Sequence, residues 1–185
     1  MFRPFRNRPN WRVIFSPEQL ETAMKANRLL SSGQAGEAAP LFANLAQEME
    51  TSRHPRRAAN LHAQAAHAYA DSQNEQFALS QAQRALTLFI QYQMVERTPR
   101  FYANITRKMS QNGMSSAAEA LQKEFGGMVG PIPTRPIAAQ TGRRGNLPPA
   151  CTQCGAPLRS DEIDWVDDQT VECGYCGALI KTIGD

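Results

Sequence analysis

Four cysteines constrain this chain more than any other feature of its sequence. They form two Cys-x-x-Cys pairs, Cys151/Cys154 and Cys173/Cys176, with 18 residues between the pairs. A two-residue gap bends the chain so that both thiolates of a pair face one point about 2.3 Å away, and two pairs complete a tetrahedron. The pattern therefore predicts one bound zinc ion. Because protein ligands fill all four positions, none is left for water or substrate, and the predicted zinc is structural.

Three other chemistries could use the same residues. Iron in a rubredoxin-like site takes the same four ligands and transfers electrons. Disulfides form in oxidising compartments, and a redox-active Cys-x-x-Cys needs a βαβ context. Residues 1–15 are basic but lack the continuous apolar segment of a secretory signal, and no apolar run approaches the roughly 18 to 20 residues that cross a bilayer. We therefore expect a cytoplasmic protein and rank zinc above these alternatives.

The residues around the cysteine pairs predict a small β module over 150–185. Residues 162–167 alternate polar and apolar side chains, and 170–172 follow a short turn, which is typical of a hairpin. Gly155 and Gly177 each follow the second cysteine of a pair, where a tight turn needs positive φ. The segments Cys-Thr-Gln-Cys-Gly-Ala-Pro-Leu and Cys-Gly-Tyr-Cys-Gly-Ala-Leu-Ile resemble the zinc-ribbon family. The resemblance implies that the four cysteines are zinc ligands and that the metal supplies much of the folding free energy.

Residues 16–126 predict an α-helical body. Alanine, glutamine, leucine and arginine, which favour helices, dominate this stretch. Three helix starts share a proline at the first helical position, where its missing N–H costs no hydrogen bond: Ser16-Pro17, His54-Pro55 and Thr98-Pro99. Ser16 and Thr98 are suited to cap their helices, and Gln19 can complete a capping box with Ser16. A turn and a second helix with an apolar stripe follow each first helix, so we expect a mainly α fold with about six helices in three helix–turn–helix hairpins.

Small residues recur at a 40-residue interval in this body. Ala38, Ala78 and Ala118 come into register when the three hairpins are superimposed, and they suit helices that approach closely. The segments 33–39 and 74–78 resemble the turn and second helix of tetratricopeptide-like repeats. An ordinary six-helix bundle is the alternative. The repeat resemblance implies a concave surface lined by the first helices, and we expect three of its polar residues to contact a partner: Asn27, Gln64 and Tyr102.

Charge divides the chain into four segments. Their net charges are +4 for 1–15, +1 for 16–126, +3 for 127–150 and −5 for 151–185. Five prolines and four glycines mark residues 127–149 as a linker between the helical body and the β module at 150–185. The other interpretation is a segment that packs on the helical body, anchored by Ile132 and Ile137.

The N-terminal arm, residues 1–15, combines aromatic residues with arginines. Such a combination can grip single-stranded nucleic acid, dock on an acidic protein surface or lie at an anionic membrane. It can also pack its apolar residues under the first helices and leave the arginines in solvent. We rank protein docking above nucleic acid, one version being a contact between the acidic β module and either this arm or Arg143-Arg144. The candidate contact residues are Arg3, Arg6, Arg8, Trp11 and Arg12.

The sequence carries no recognisable enzymatic motif: it has no phosphate-binding glycine loop, no nucleophile elbow and no H-E-x-x-H. His62 and His67 are five residues apart and diverge on a helix, so we expect core or surface histidines. We predict a non-enzymatic adaptor or scaffold that binds protein partners through the helical body and the zinc ribbon, with no small-molecule substrate. The alternative is a nucleic-acid-binding accessory protein in transcription or RNA handling that uses the arginine-rich arm and linker. A small iron-based redox protein ranks third.

Overall fold

The computed structural model describes residues 15–95, 97–130, 146–158, 163–167, 169–176 and 178–183. Predictions for residues 1–14 of the N-terminal arm, for most of the linker and for Gly177 lie outside the described residues, whereas Phe15, the last residue of the arm, is described and buried. The described part contains six α-helices and one small three-stranded sheet. The prediction of a mainly α fold with a small C-terminal β module is confirmed.

The six helices pair along the chain as three hairpins. The first helices are α1 (Pro17–Ser31), α3 (Pro55–Asp71) and α5 (Arg97–Gln111). The second helices are α2 (Ala35–Thr51), α4 (Glu75–Gln91) and α6 (Ser115–Phe125). Consecutive helices pack on one another, α3 also contacts α5, and α4 contacts α6. Packing that follows the order of the chain is typical of a helical repeat.

The five turns between these helices share one geometry and recur every 20 residues. Each contains a residue with φ between 52° and 80°: Gly33, Arg53, Gln73, Gln93 and Gly113. The N–H of the next residue donates to the carbonyl group five residues earlier, as from Gln34 to Leu29 (2.8 Å). This Schellman motif satisfies carbonyl groups that the end of a helix leaves without partners. The 40-residue interval of the sequence is therefore made of two similar units, each a helix and its turn.

The predicted helix starts are confirmed at α1 and α3 and are wrong at α5. The Ser16 hydroxyl accepts from the Gln19 N–H (3.2 Å) and the Gln19 side chain accepts from the Ser16 N–H (2.9 Å), which completes the predicted capping box. Helix α3 begins at its proline. Helix α5 begins at Arg97, so Thr98 is not its N-cap. The Thr98 N–H already bonds to the Met94 carbonyl (3.0 Å), because the recurring turn brings the chain into the helix before Thr98 is reached.

Alanine lets the helices approach closely. Ala26 and Ala66 of the first helices are completely buried, as are Ala38 and Ala78 of the second helices, and Ala118 is 5% exposed. Small side chains at helix crossings permit short distances between backbones. Larger buried side chains fill the spaces between these contacts: Phe42, Leu45, Met49, Leu61, Leu86, Ile105, Met109 and Leu121.

One polar cluster joins α2, α3 and α4. Glu50 accepts hydrogen bonds from Arg84, one of them from Nε at 2.9 Å, and lies 2.7 Å from His62 Nε2. His62 is buried, and its Nδ1 lies 2.6 Å from the Gln81 side-chain oxygen. The hydrogen bond from Arg84 holds the pKa of Glu50 below its ordinary value. His62 therefore has the polar partners that a buried histidine requires.

The C-terminal module is built on an antiparallel sheet in the order β1-β2-β3. Its strands are β1 (Asp164–Asp167), β2 (Thr170–Glu172) and β3 (Leu179–Lys181). The first two form the predicted hairpin, and β3 adds a strand that the sequence did not predict. Val171 stands opposite Ile180, and both are buried. Residues 146–149, on the linker side of the predicted boundary, join this module: the Ile183 N–H donates to the Asn146 carbonyl (2.7 Å).

Candidate metal centre and its attachment to the helical body

Four sulfur atoms meet at one point in the C-terminal module. The side chains of Cys151, Cys154, Cys173 and Cys176 are buried, and their sulfur atoms all lie within 4.8 Å of one another. The Cys151–Cys176 sulfur distance is 3.7 Å, and the Cys154–Cys173 distance is 3.8 Å. Four ligands placed tetrahedrally at about 2.3 Å from an ion stand about 3.8 Å apart. The cluster therefore has the size that one tetrahedral metal ion requires.

The sulfur–sulfur distances and the protonation of the four thiols distinguish disulfide formation from metal binding. A disulfide joins its sulfur atoms at about 2.05 Å, and all four cysteines are free thiols here. Hydrogen bonding with Cys154, Cys173 and Cys176 lowers the pKa of Cys151, whereas hydrogen bonding with Cys151 raises the pKa of Cys154. Four thiolates this close repel one another, so a cation is needed to hold them all deprotonated. The cluster fits a metal ion, and its geometry suits zinc and iron alike.

Two similar backbone turns aim the sulfur atoms. In the first pair, the Cys151 N–H donates to the Ala156 carbonyl (2.7 Å); in the second, the Cys173 N–H donates to the Ala178 carbonyl (2.9 Å). Each hydrogen bond joins the first cysteine of a pair to the residue five positions later, so both Cys-x-x-Cys segments lie in loops of the same length. Gly155 has φ +74°, which confirms the positive φ predicted after the first pair.

The first helices hold these cysteine turns by their carbonyl groups. Asn27 of α1 donates to the Cys154 carbonyl (2.9 Å), and Arg57 of α3 donates to the Cys173 carbonyl (3.0 Å). Each bond therefore ends on a residue whose own sulfur belongs to the cluster. The helical body thus contacts the module at the backbone that positions the clustered cysteine sulfur atoms.

Three further contacts fasten the second cysteine turn. Arg57 also pairs with Glu172 (2.5 Å), and the two side chains are only 11% and 27% exposed. Asn60 of α3 donates to the Gly174 carbonyl (2.6 Å) and accepts from Arg97 of α5 (2.6 Å). A Cβ at Gly174 would stand 2.9 Å from the Arg97 guanidinium, so glycine permits this close approach. The first helices of all three hairpins therefore take part in the attachment.

A pocket of about 450 Å³ lies where α3, α5 and the C-terminal module meet. Its cationic lining comes from α5: Arg97, Arg100, Arg107 and Lys108. Its carboxamide lining comes from α3 and α5: Asn60, Gln64, Asn104 and Gln111. The module supplies Pro157 and Tyr175, and the described lining residues include no aspartate or glutamate. The described lining therefore carries four cationic side chains, of which Lys108 pairs with Asp71, and one wall of the pocket is made by the C-terminal module.

The structure separates the residues that were predicted to contact a partner. Asn27 contacts the C-terminal module of its own chain. Gln64 lines the pocket, where its buried Oε1 has no hydrogen-bond donor in the described part of the chain. Tyr102 lies on another side of α5, with its hydroxyl beside Gly126, and is not part of the pocket. The predicted residues of the N-terminal arm lie outside the described residues: Arg3, Arg6, Arg8, Trp11 and Arg12.

Sequence reasoning missed the residues that hold the module, namely Arg57, Asn60 and Arg97. None belongs to a sequence motif, and from the sequence alone each is indistinguishable from an ordinary polar residue of a helix. The net charge of −5 on the C-terminal segment did signal a basic contact surface. The prediction sought that surface in the N-terminal arm or at Arg143-Arg144, which lie outside the described residues. In the described part, an arginine of α3 makes the contact.

The chain matches no protein-family model, no curated protein and no solved structure. Among the described residues, no helix combines the length and the apolar character that crossing a bilayer requires.

Proposed function

We propose that this protein is a non-enzymatic adaptor in which the helical body and the C-terminal module together form one surface for a partner protein. The observation that carries the proposal is the attachment of the module to the first helices. A module tethered only by a linker would sample many orientations, and ordering it would weaken partner binding. Attachment at several points removes that cost, and helical repeats commonly bind partners on their extended surfaces. We expect the protein to act in the cytoplasm, where thiols stay reduced.

Within this proposal the C-terminal module is a zinc ribbon, and its metal is one structural zinc ion. The four buried thiolates leave no coordination position for water or substrate, as in structural zinc sites. When bound, zinc supplies folding free energy to a module too small to form a large core. Metal analysis of the purified protein should find about one zinc per chain and no visible absorption band. One iron per chain with a strong visible band would contradict zinc and favour the redox alternative.

The adaptor proposal is tested by affinity capture from cells. The full chain is compared with a chain lacking 151–185 and with Arg57→Ala, which keeps the module but loosens its attachment. We expect the full chain to retain a discrete protein partner, Arg57→Ala to retain less of it, and the truncated chain to lose it. Arg28→Ala is the matched control, because Arg28 is an exposed arginine in the last turn of α1.

Nuclease treatment and a salt series distinguish the competing function. Nucleic acid that is recovered at low salt and released at high salt, without a stable protein partner, would overturn the adaptor proposal. That outcome would favour the nucleic-acid-binding alternative, because phosphate contacts weaken steeply as salt rises.

A further inference from the structure

The cations of the pocket form a row along α5. Arg97 and Lys108 mark its ends, with Arg100 and Arg107 between them. Eleven residues of α-helix span about 16 Å, a length that an extended chain of roughly five residues covers. A row of this length suits an elongated anion with several charges better than a single compact one.

Arg107 is the most accessible cation of this row. It is exposed, and its described side-chain contact is a hydrogen bond to Asn104 of the same helix (2.9 Å). A guanidinium carries five N–H donors in a planar fork that matches a carboxylate. Lys108, by comparison, already pairs with Asp71 (2.7 Å). Arg107 is therefore the side chain on which a bound carboxylate depends most.

The side chain of Gln64 indicates that the ligand carries a hydrogen-bond donor as well as negative charge. Its buried Oε1 is an acceptor without a described donor, and a buried polar atom left unpaired is destabilising. Ionised carboxylate and phosphate groups carry acceptors only, so they cannot satisfy this atom. A peptide backbone carries N–H donors at regular intervals and can. The pocket therefore combines cations for acidic side chains with an acceptor for a backbone N–H.

The C-terminal module completes the site. Tyr175 lies between Cys173 and Cys176, and Pro157 directly follows the turn that the Cys151–Ala156 hydrogen bond closes. These two side chains give the pocket an apolar portion contributed by the module. This portion has its shape only while the module is folded and attached.

We propose that this pocket binds an extended acidic segment of a partner protein. A carboxylate of this segment pairs with Arg107, a backbone N–H donates to Gln64 Oε1, and an apolar side chain lies against Pro157 and Tyr175. The inference rests on the adaptor function and adds the chemistry of the partner.

The test is a fluorescence anisotropy titration of the full, metal-loaded chain. The probe is a fluorescein-labelled hexapeptide of alternating glutamate and leucine, and the control peptide has glutamine in place of glutamate. We expect the acidic peptide to bind, Arg107→Glu to weaken it about tenfold or more, and Gln64→Leu to weaken it as well. Lys123→Glu on α6, which makes the same change of charge at an exposed position outside the pocket, should change the affinity roughly twofold or less.

Several results would overturn the inference. Equal weakening by Arg107→Glu and Lys123→Glu would mean attraction to overall charge and no site in the pocket. Tripolyphosphate or a ten-nucleotide thymidine strand that binds as tightly as the peptide would assign the pocket to another ligand. If the capture experiment yields a partner that Arg107→Glu still retains, the adaptor function stands and the pocket is not its site. If no partner is captured, the titration still decides whether the pocket takes an acidic chain.

Discussion

Glu50 joins three helices through two side chains, so its protonation state bears on stability. The hydrogen bond from Arg84 lowers the pKa of Glu50 in the folded protein. A lowered folded pKa gives stabilisation that is complete above the unfolded value, about 4.3, and is lost as the pH falls through the folded value. We therefore expect Glu50→Gln to reduce the free energy of unfolding by about 1 kcal/mol at neutral pH. The difference should shrink below about pH 4.

Urea unfolding followed by circular dichroism measures this effect at neutral pH and at about pH 3. Glu119→Gln is the control, because Glu119 is exposed on α6, and its effect should stay within about 0.5 kcal/mol at both pH values. A loss of stability in Glu50→Gln that is equally large at both pH values would show that the ionised carboxylate is not its source.

At the scale of single helices and turns, the recurring turn uses glycine at two places and larger residues at three. Gln73 has φ +58°, and Gly33 has φ +80°. The left-handed region costs a residue with a side chain about 1 kcal/mol. We expect Gln73→Gly to raise the free energy of unfolding by about 0.5 to 1 kcal/mol. Gly33→Ala should lower it by a similar amount, since no atom stands within 4 Å of the added Cβ and only the backbone is strained.

Ser80→Gly controls for the general effect of glycine. Ser80 is exposed inside α4, where glycine should destabilise the protein by about 0.5 to 1 kcal/mol. Thermal unfolding of the three variants shows directly whether each substitution stabilises or destabilises the protein. A Gln73→Gly protein that is less stable than the parent would mean that the Gln73 side chain does more than occupy a strained turn.

The six helices could be predicted because each carries a local signal, a cap or an apolar stripe. The start of α5 could not be predicted, because the competing turn is centred on Gln93, and no glycine marks its positive φ. The signal of Thr98 as a cap was therefore the stronger one in the sequence. Strand β3 was missed for a different reason. Its three residues form a strand because they pair with β2, and a short segment shows no such partner in its own pattern.

At the scale of the whole molecule, the sequence predicts the cysteine cluster but not the contacts that attach its module to the helical body. The cysteine cluster follows from spacing within 26 residues, from Cys151 to Cys176. The attachment joins residues that are far apart in sequence: Asn27 and Cys154 are separated by 127 positions. No local pattern reports such a contact. Charge imbalance between segments indicated that a basic partner surface exists, but not which arginine provides it.

Metal removal should unfold the C-terminal module and leave the helical body folded. The module is too small to bury much apolar surface, whereas the body has its own core of buried side chains. Chelation should change the fluorescence of Trp165 and retain most of the helical circular dichroism. The measurement is made in a Trp11→Phe background, so that Trp165 is the only tryptophan. Loss of the helical signal together with the metal would show that body and module fold as one unit.

Arg57 connects the helical body to the cysteine cluster, because it bonds to the carbonyl of one cysteine and to the glutamate beside it. If attachment stabilises the metal-bound module, the two equilibria are linked and each strengthens the other. We expect Arg57→Ala to weaken zinc affinity by about tenfold, as loss of a supporting contact around a metal site does. Competition with a chromophoric chelator measures this affinity, and small-angle X-ray scattering should show a larger radius of gyration. Arg28→Ala should change neither quantity. An expanded Arg57→Ala protein with unchanged zinc affinity would mean that the module folds around its metal without help from the helices.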